Sequence, residues 1–336
     1  MKKKRFCFNE VEVCFYLNDS FERIEDFIEQ RIIYITDKIV FSKHSKKFNN
    51  KDLIILKPGE EYKVQQTVDS IINQLLEMGA DRQTLIIGVG GGVVTDIVGY
   101  VASIYMRGVS FAFVPTTILC MVDASIGGKN GVDVGLYKNM IGTIKQPQFI
   151  LHDYSFLKSL PQKEWISGFA EIIKHAAIKN EKLFSKLESN SILFYKKNVQ
   201  ELSKLIEQNV ELKSKVVMND VYEKGERKHL NFGHSVGHAI ENQYELSHGQ
   251  AISIGMVAAS FLSAQILGFN ETERVIKLLK KYQLPAFANF DKKKMIELMK
   301  SDKKKLNNEI QFILLKKIGK AVIQPIPFFE IENMLP

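Results

Sequence analysis

Cysteine is scarce in this chain. Its three cysteines, Cys7, Cys14 and Cys120, share no CxxC spacing, so neither a disulfide framework nor a thiolate zinc site is expected. Such usage suits a reducing cytosol. Long apolar runs are missing as well: no stretch approaches the roughly 20 residues that span a bilayer. The basic start, "MKKKRFCFNEVEVCFYLND", lacks the unbroken apolar core of a secretory signal, because Asn, Glu and Asp interrupt it. The lysine runs "KKKR", "DKKKM" and "SDKKKL" have no interleaved aromatics, and no nucleic-acid-binding module accompanies them. Internal repeats and low-complexity linkers are absent. The expectation is a cytoplasmic globular protein with no nucleic-acid and no membrane partner.

The 336 residues suffice for two domains, and 45% hydrophobic with 25% charged residues is the balance of a globular protein. The formal net charge of +8 reads as solvated faces or as attraction for an anionic substrate. In the first half, short apolar runs alternate with helical patterns. "RIIYITD" (31–37), "DLIILKPGE" (52–60), "TLIIGVGGG" (84–92), "VSFAFVPTT" (109–117) and "QFILHD" (148–153) read as strands. Val68, Ile71, Ile72, Leu75 and Leu76 recur at helical spacing, with Gly79 as the cap. This alternation predicts a Rossmann-like, doubly wound, largely parallel α/β domain over residues 1–155. From 156 to 336 helical patterns dominate, as in "ELSKLIEQNVELKSKVV" and "AISIGMVAASFLSAQILG", and "EIQFILLKKIGKAVIQPIP" reads as a strand pair. The active site is expected in the cleft between the two domains.

"LIIGVGGGVVTD" runs from a strand through glycines into a helix, which suits a phosphate at the helix N-terminus. The strict GxGxxG fingerprint is not met, because Val93 takes the third position, and no Walker A motif is present. "FVPTTILCMVDASIGGKNGVDVGLYKNMIG" (113–142) gathers Asp123, Lys129, Asn130, Asp133, Lys138 and Asn139 among glycines beyond a strand end, where function concentrates in such sheets.

"HLNFGHSVGHAIENQYELSHGQ" (229–250) holds four of the seven histidines. His234 and His238, four apart, share a helix face, and His248 follows. The HExxH protease motif is absent. Glu171, on the apolar helix "SGFAEIIKHAAI", is the natural carboxylate partner; the plain alternative is an ion pair of Glu171 with Lys174, exposed on one side. Spacing alone leaves open which two histidines bind. His229 is read as a surface residue.

These motifs, together with "PGEEYK", "YMRG", "GFAEIIKHA" and "HGQAISIGM", resemble the 3-dehydroquinate synthase family of the sugar phosphate cyclases, in the right order over most of the chain. The resemblance implies that Glu171, His234 and His248 hold Zn2+ or Co2+. His238, Lys174, Lys129, Asp123 and Asn231 become catalytic. Arg107, Asn139, Lys213, Arg227 and a lysine of "SDKKK", Lys303 or Lys304, become substrate contacts. NAD contacts fall to Asp37, Glu60, Lys63, Gly92, Val93, Val94, Thr95, Asp96, Thr116, Thr117, Lys129 and Lys138. Arg107 is expected to reach the neighbouring subunit's site, implying a homodimer. Tyr100, Tyr137, Val221 and Glu226 depart from the usual family residues without removing any of these positions.

The implied reaction is that of the shikimate pathway: 3-deoxy-D-arabino-heptulosonate 7-phosphate becomes 3-dehydroquinate and phosphate. NAD takes a hydride at C5, phosphate is eliminated, the hydride returns, and an intramolecular aldol closes the ring. The metal is the Lewis acid, and Lys129, Lys174, Lys213, Arg107 and Arg227 oppose the substrate's negative charges. The rivals are an inosose- or valiolone-forming cyclase and a metal-dependent polyol dehydrogenase. Lys213, Asn231 and His238 match the dehydroquinate pattern.

Overall fold

The computed structural model describes residues 2–135, 137–241, 243–244, 246–289, 291–302 and 309–334. The described residues fall into two compact units. One is built from Met1–Glu164 and Ser203–Val221, the other from Trp165–Leu202 and Tyr222–Pro336.

In the first unit the strands are β1 (Lys2–Phe8), β2 (Val11–Leu17), β3 (Ile32–Asp37), β4 (Asp52–Leu56), β5 (Leu85–Gly90), β6 (Ser110–Pro115), β7 (Lys129–Val134), β8 (Tyr137–Ile144) and β9 (Phe149–His152). Its helices are α1 (Lys38–His44), α2 (Gln65–Glu77) and α3 (Gly92–Ile104). Among the described residues the main sheet has the order β1-β2-β9-β6-β5-β3-β4. Only β1 and β2 pair antiparallel; every other neighbour is parallel, so the expected doubly wound sheet is present. β5, "LIIGVG", is buried along its whole length, as an apolar run must be when both faces are covered. α2 buries Val68, Ile71 and Leu75 and leaves Leu76 exposed, the pattern of one apolar face. The chain passes from β3 outward to β4, then crosses back to β5 on the other side of β3. Such a reversal opens a crevice beyond the C-terminal ends of β3 and β5.

Two elements differ from the expectation. The N-terminal hairpin lies where no strand is expected. Its turn residues Asn9 and Glu10 both have positive φ, 45° and 70°, as a two-residue hairpin turn requires, but Asn-Glu lacks the usual glycine signal. Its lysines are not merely solvated: Lys4 pairs with Glu207 at 2.6 Å and also with Glu211. A lysine-rich edge strand resists pairing with other chains. The glycine-rich stretch after β6, expected as a loop, instead forms the antiparallel ribbon β7–β8. α3 lies against that ribbon so closely that a Cβ on Gly99 would come within 1.9 Å of Asn130 Oδ1.

After β9 the helices are α4 (Gln162–Lys179), α5 (Glu181–Ser189), α6 (Ile192–Lys197), α7 (Val199–Asn219), α8 (His234–Glu241), α9 (His248–Leu267), α10 (Thr272–Lys281), α11 (Lys292–Asp302) and α12 (Phe328–Met334), with the hairpin β10 (Glu309–Lys317) and β11 (Lys320–Pro327). From Ser203 onward α7 belongs to the first unit. α9, at 20 residues and mean hydropathy 1.5, does reach the length and composition of a membrane span, contrary to the expectation from apolar runs. Its residues are instead largely buried: Ala251, Ile254, Ala258 and Leu262 share a core with Phe312 and Leu314 of β10.

Candidate active site

In the second unit, Glu171 sits at the centre of α4, fully buried. Its Oε1 lies 3.0 Å from His248 Nε2 and 3.8 Å from His234 Nε2. Its Oε2 pairs with Lys174, one turn along the same helix. The plain ion pair therefore exists, but neither member is exposed: Lys174 is only 1% exposed. Packing brings these groups together. A Cβ on Gly249 would lie 2.5 Å from Ser167 Cα, so only glycine lets the start of α9 rest on α4 and deliver His248. Gln250 Oε1 accepts from the Ser247 amide at 2.9 Å and fixes the start of α9. Gly237 and Gly255 allow α8 to approach α9 with the same closeness.

One ligand atom from each of Glu171, His234 and His248 lies within 4.8 Å of the others. A carboxylate and two imidazoles are a donor set suited to a catalytic zinc. The tautomers fit as well. His234 Nδ1 donates to the Phe232 carbonyl at 3.3 Å, leaving Nε2 for a cation. Burial, followed by the charge of Lys174, holds His234 well below the usual imidazole range, so its lone pair is available. Burial pulls His248 down too, but hydrogen bonding to Glu171 and Glu241 outweighs it and lifts this ring to about 9. A cation competes with that proton for the same nitrogen.

A second set, His238, Glu241 and His248, is equally compact and shares His248, whose Nδ1 lies 3.6 Å from Glu241 Oε2. The ring of His238 is 5.0 Å from that of His234 and 6.3 Å from that of His248, so helical spacing does put the two helix histidines side by side. Asn231 donates to Glu223 at 2.5 Å. Arg227 is buried at 3% exposure in the turn just before. His229, read as a surface residue, is half-buried beside buried Leu230, and burial lowers its pKa. Lys303 and Lys304 lie outside the described residues.

In the first unit, most of the expected cofactor positions follow the ends of β3, β4, β5 and β6 in sequence, while Lys129 and Lys138 lie on β7 and β8. Gly92, Val93, Val94, Thr95 and Asp96 form the first turn of α3, whose N-cap Gly91 has no side chain to satisfy the free amides, an arrangement that suits phosphate. Thr116 and Thr117 follow β6, and the Thr116 amide bonds Gly90 O at 2.9 Å. Lys63 is buried. Its Nζ lies 2.6 Å from Asp96 Oδ2 and 2.6 Å from Asn139 Oδ1. Burial disfavours the charged ammonium, but Asp96 and Glu60 overcome it and hold the Lys63 pKa above its ordinary value. Asp37 accepts from the amides of Ile39 and Val40 at 2.7 and 2.9 Å, capping α1. Glu60 and Lys129 are exposed, and Lys138 is half-buried. Asp123 and Lys213 meet at 2.6 Å. Arg107 does not join this group. It is exposed, at φ +67° in the turn after α3, which lies at the other end of that helix from Gly92.

Sequence reasoning missed Glu223 and Glu241. Glu223 has a positive φ of 59° in a turn that offers no motif. Glu241 stands three residues after His238, a helical spacing that signals its side of the helix.

A family model described as 3-dehydroquinate synthase N-terminal matches residues 53–167, and one described as 3-dehydroquinate synthase C-terminal matches residues 168–305. The chain belongs to the 3-dehydroquinate synthase family. The 3-dehydroquinate synthase of Pyrococcus abyssi is 42% identical over 279 residues, 82% of this chain and 81% of that protein. The one from Campylobacter concisus is 37% identical over 321 residues, 92% of this chain and 91% of its own length. Among solved structures, a 2-deoxy-scyllo-inosose synthase complexed with carbaglucose-6-phosphate, NAD+ and Co2+ superposes with a TM-score of 0.86 at 26% identity, covering 99% of this chain and 98% of that one. Family membership makes the chain an NAD- and metal-dependent lyase.

Proposed function

We infer that the protein converts 3-deoxy-D-arabino-heptulosonate 7-phosphate to 3-dehydroquinate and phosphate, and that the site residues carry the family's roles. The observation that carries this is the convergence of Glu171, His234 and His248 in a chain that the family models match over most of its length. Held there, zinc or cobalt supplies Lewis acidity toward a substrate hydroxyl and carbonyl, and NAD, at the α3 turn, supplies a hydride acceptor that also returns the hydride. The protein's own groups do the rest. Glu171 pairs with Lys174 in the interior, beside the ligand set. His238, next to His234, is placed to move a proton at the substrate. Lys129, Lys213, Arg227 and either Lys303 or Lys304 oppose the carboxylate and phosphate, with Asn139, Asn231 and Asp123 as orienting hydrogen-bond partners. Lys63 and Asp96, with Asp37, Glu60, Thr116, Thr117 and Lys138, line the cofactor. Arg107, in the turn beyond α3, serves the site of a second copy in a homodimer. The cysteine usage supports a cytoplasmic setting.

The likeness to the inosose synthase favours one second reading, a cyclase for a different sugar phosphate. The test is phosphate release with NAD and zinc, with product identification, on the heptulosonate phosphate and on sedoheptulose 7-phosphate. Stoichiometric phosphate and dehydroquinate from the first, without net NADH, is the expected result. Turnover of the second alone, or NADH accumulation, overturns the proposal.

A further inference from the structure

His152 ends β9, at the interior of the first unit, and no role described above uses it. It is completely buried, with its ring stacked on Phe15 at 6.3 Å between centroids and 18° between planes. Its Nε2 lies 3.0 Å from the carbonyl oxygen of Met121. A carbonyl only accepts, so this nitrogen carries the hydrogen and donates.

Met121 belongs to the π-helical turn Cys120–Ala124. In an α-helix the Ser125 amide would bond Met121 O. Here it bonds Cys120 O at 3.3 Å, and Ser125 Oγ takes the same oxygen at 2.7 Å. The next amide, Ile126, goes to Asp123 O at 2.9 Å. Both amides in line for the Met121 carbonyl are therefore engaged elsewhere, and His152 supplies a donor from the neighbouring strand. A buried carbonyl without a donor is costly, and π-turns gather at functional sites. Two residues past Met121 is Asp123. Its carbonyl accepts from Lys213 Nζ at 2.7 Å and its carboxylate lies 2.6 Å from the same atom. One lysine is thus held by the main chain and side chain of a single residue in the turn. A change of register there moves both acceptors.

Burial holds the His152 ring at about 4, so it remains a neutral donor through the neutral range. We propose that His152 is a positioning residue: its hydrogen bond to Met121 holds the π-helical turn in the register that presents Asp123 to Lys213, and through that pair it sets affinity for the anionic substrate. The substrate part rests on the functional reading above.

The test compares His152→Leu, which removes the donor at similar volume, with His152→Gln, whose amide keeps one. In the zinc- and NAD-loaded enzyme, the Leu variant is expected to raise KM for the heptulosonate phosphate about tenfold with kcat within threefold. The Gln variant is expected to recover most of that loss, and KM for NAD to stay unchanged in both. A purely structural role lowers the active fraction, hence kcat, and leaves KM alone. A Leu variant with wild-type KM overturns the proposal, as does a Gln variant that melts like wild type and is no better than Leu. A crystal structure of the Leu variant is independent of substrate. Retention of the turn register and of the Asp123–Lys213 contact there refutes the positioning role even if the substrate assignment is wrong, whereas failure of wild type to use the substrate refutes only that assignment.

Discussion

Glu171→Gln in the metal-stripped protein separates the carboxylate's structural work from metal binding. Glu171 is fully buried and Lys174 is 1% exposed, so neither charge has solvent to fall back on. Removing one member of such a pair leaves the other as a buried, uncompensated charge, at a cost of about 3–5 kcal/mol. The glutamine oxygen still accepts one hydrogen bond, which places the expected loss at the lower end, about 3 kcal/mol, or roughly a 150-fold shift in the unfolding constant. Adding Lys174→Met removes the stranded ammonium, so the double variant should be more stable than Glu171→Gln alone. The sole tryptophan, Trp165, is buried on the same helix, and its fluorescence in a urea titration follows this unit directly. The metal must be absent, since losing a ligand also loses binding energy that stabilises the fold. A Glu171→Gln loss below about 1 kcal/mol, or a double variant that loses as much as the two single variants combined, refutes the buried-pair reasoning.

His248→Ala should abolish bound zinc after dialysis while His238→Ala largely keeps it, as read by metal analysis; equal loss would favour the alternative set built on Glu241. His152 makes stability pH-dependent: its folded pKa of about 4 lies below the ordinary 6.5, so the unfolded chain takes up the proton first. That contribution is complete above pH 6.5 and is lost as pH falls toward 4, about 3 kcal/mol at about 1.36 kcal/mol per pH unit. Denaturant titrations of wild type and His152→Gln across that window should diverge by this amount, and parallel curves would contradict it.

Much of the architecture was legible because its signals are local. The fully apolar β5, the spacing of Val68, Ile71 and Leu75, and the glycines opening α3 each dictate an element within a few residues. The β1–β2 hairpin was not legible, because Asn9 and Glu10 adopt left-handed backbone without a glycine. The β7–β8 ribbon was hidden by glycines that usually mark loops, although here they let two backbones and α3 come close.

The sequence by itself determined that His234 and His238 share a helix face and that Glu171, in an apolar helix, needs a partner. It also carried the order of motifs that identifies the family. It did not determine which nitrogen faces which carboxylate. His248 and Glu171 stand 77 positions apart, and Lys213 and Asp123 stand 90 apart. Spacing rules end after a turn or two of helix. The pairing of Glu171 with both Nε2 atoms exists because Gly249 lets α9 settle on α4, and the Asp123–Lys213 pair forms where the π-helical turn and α7 meet. Those are decisions of packing, made only when distant segments compete for the same space and the same hydrogen bonds.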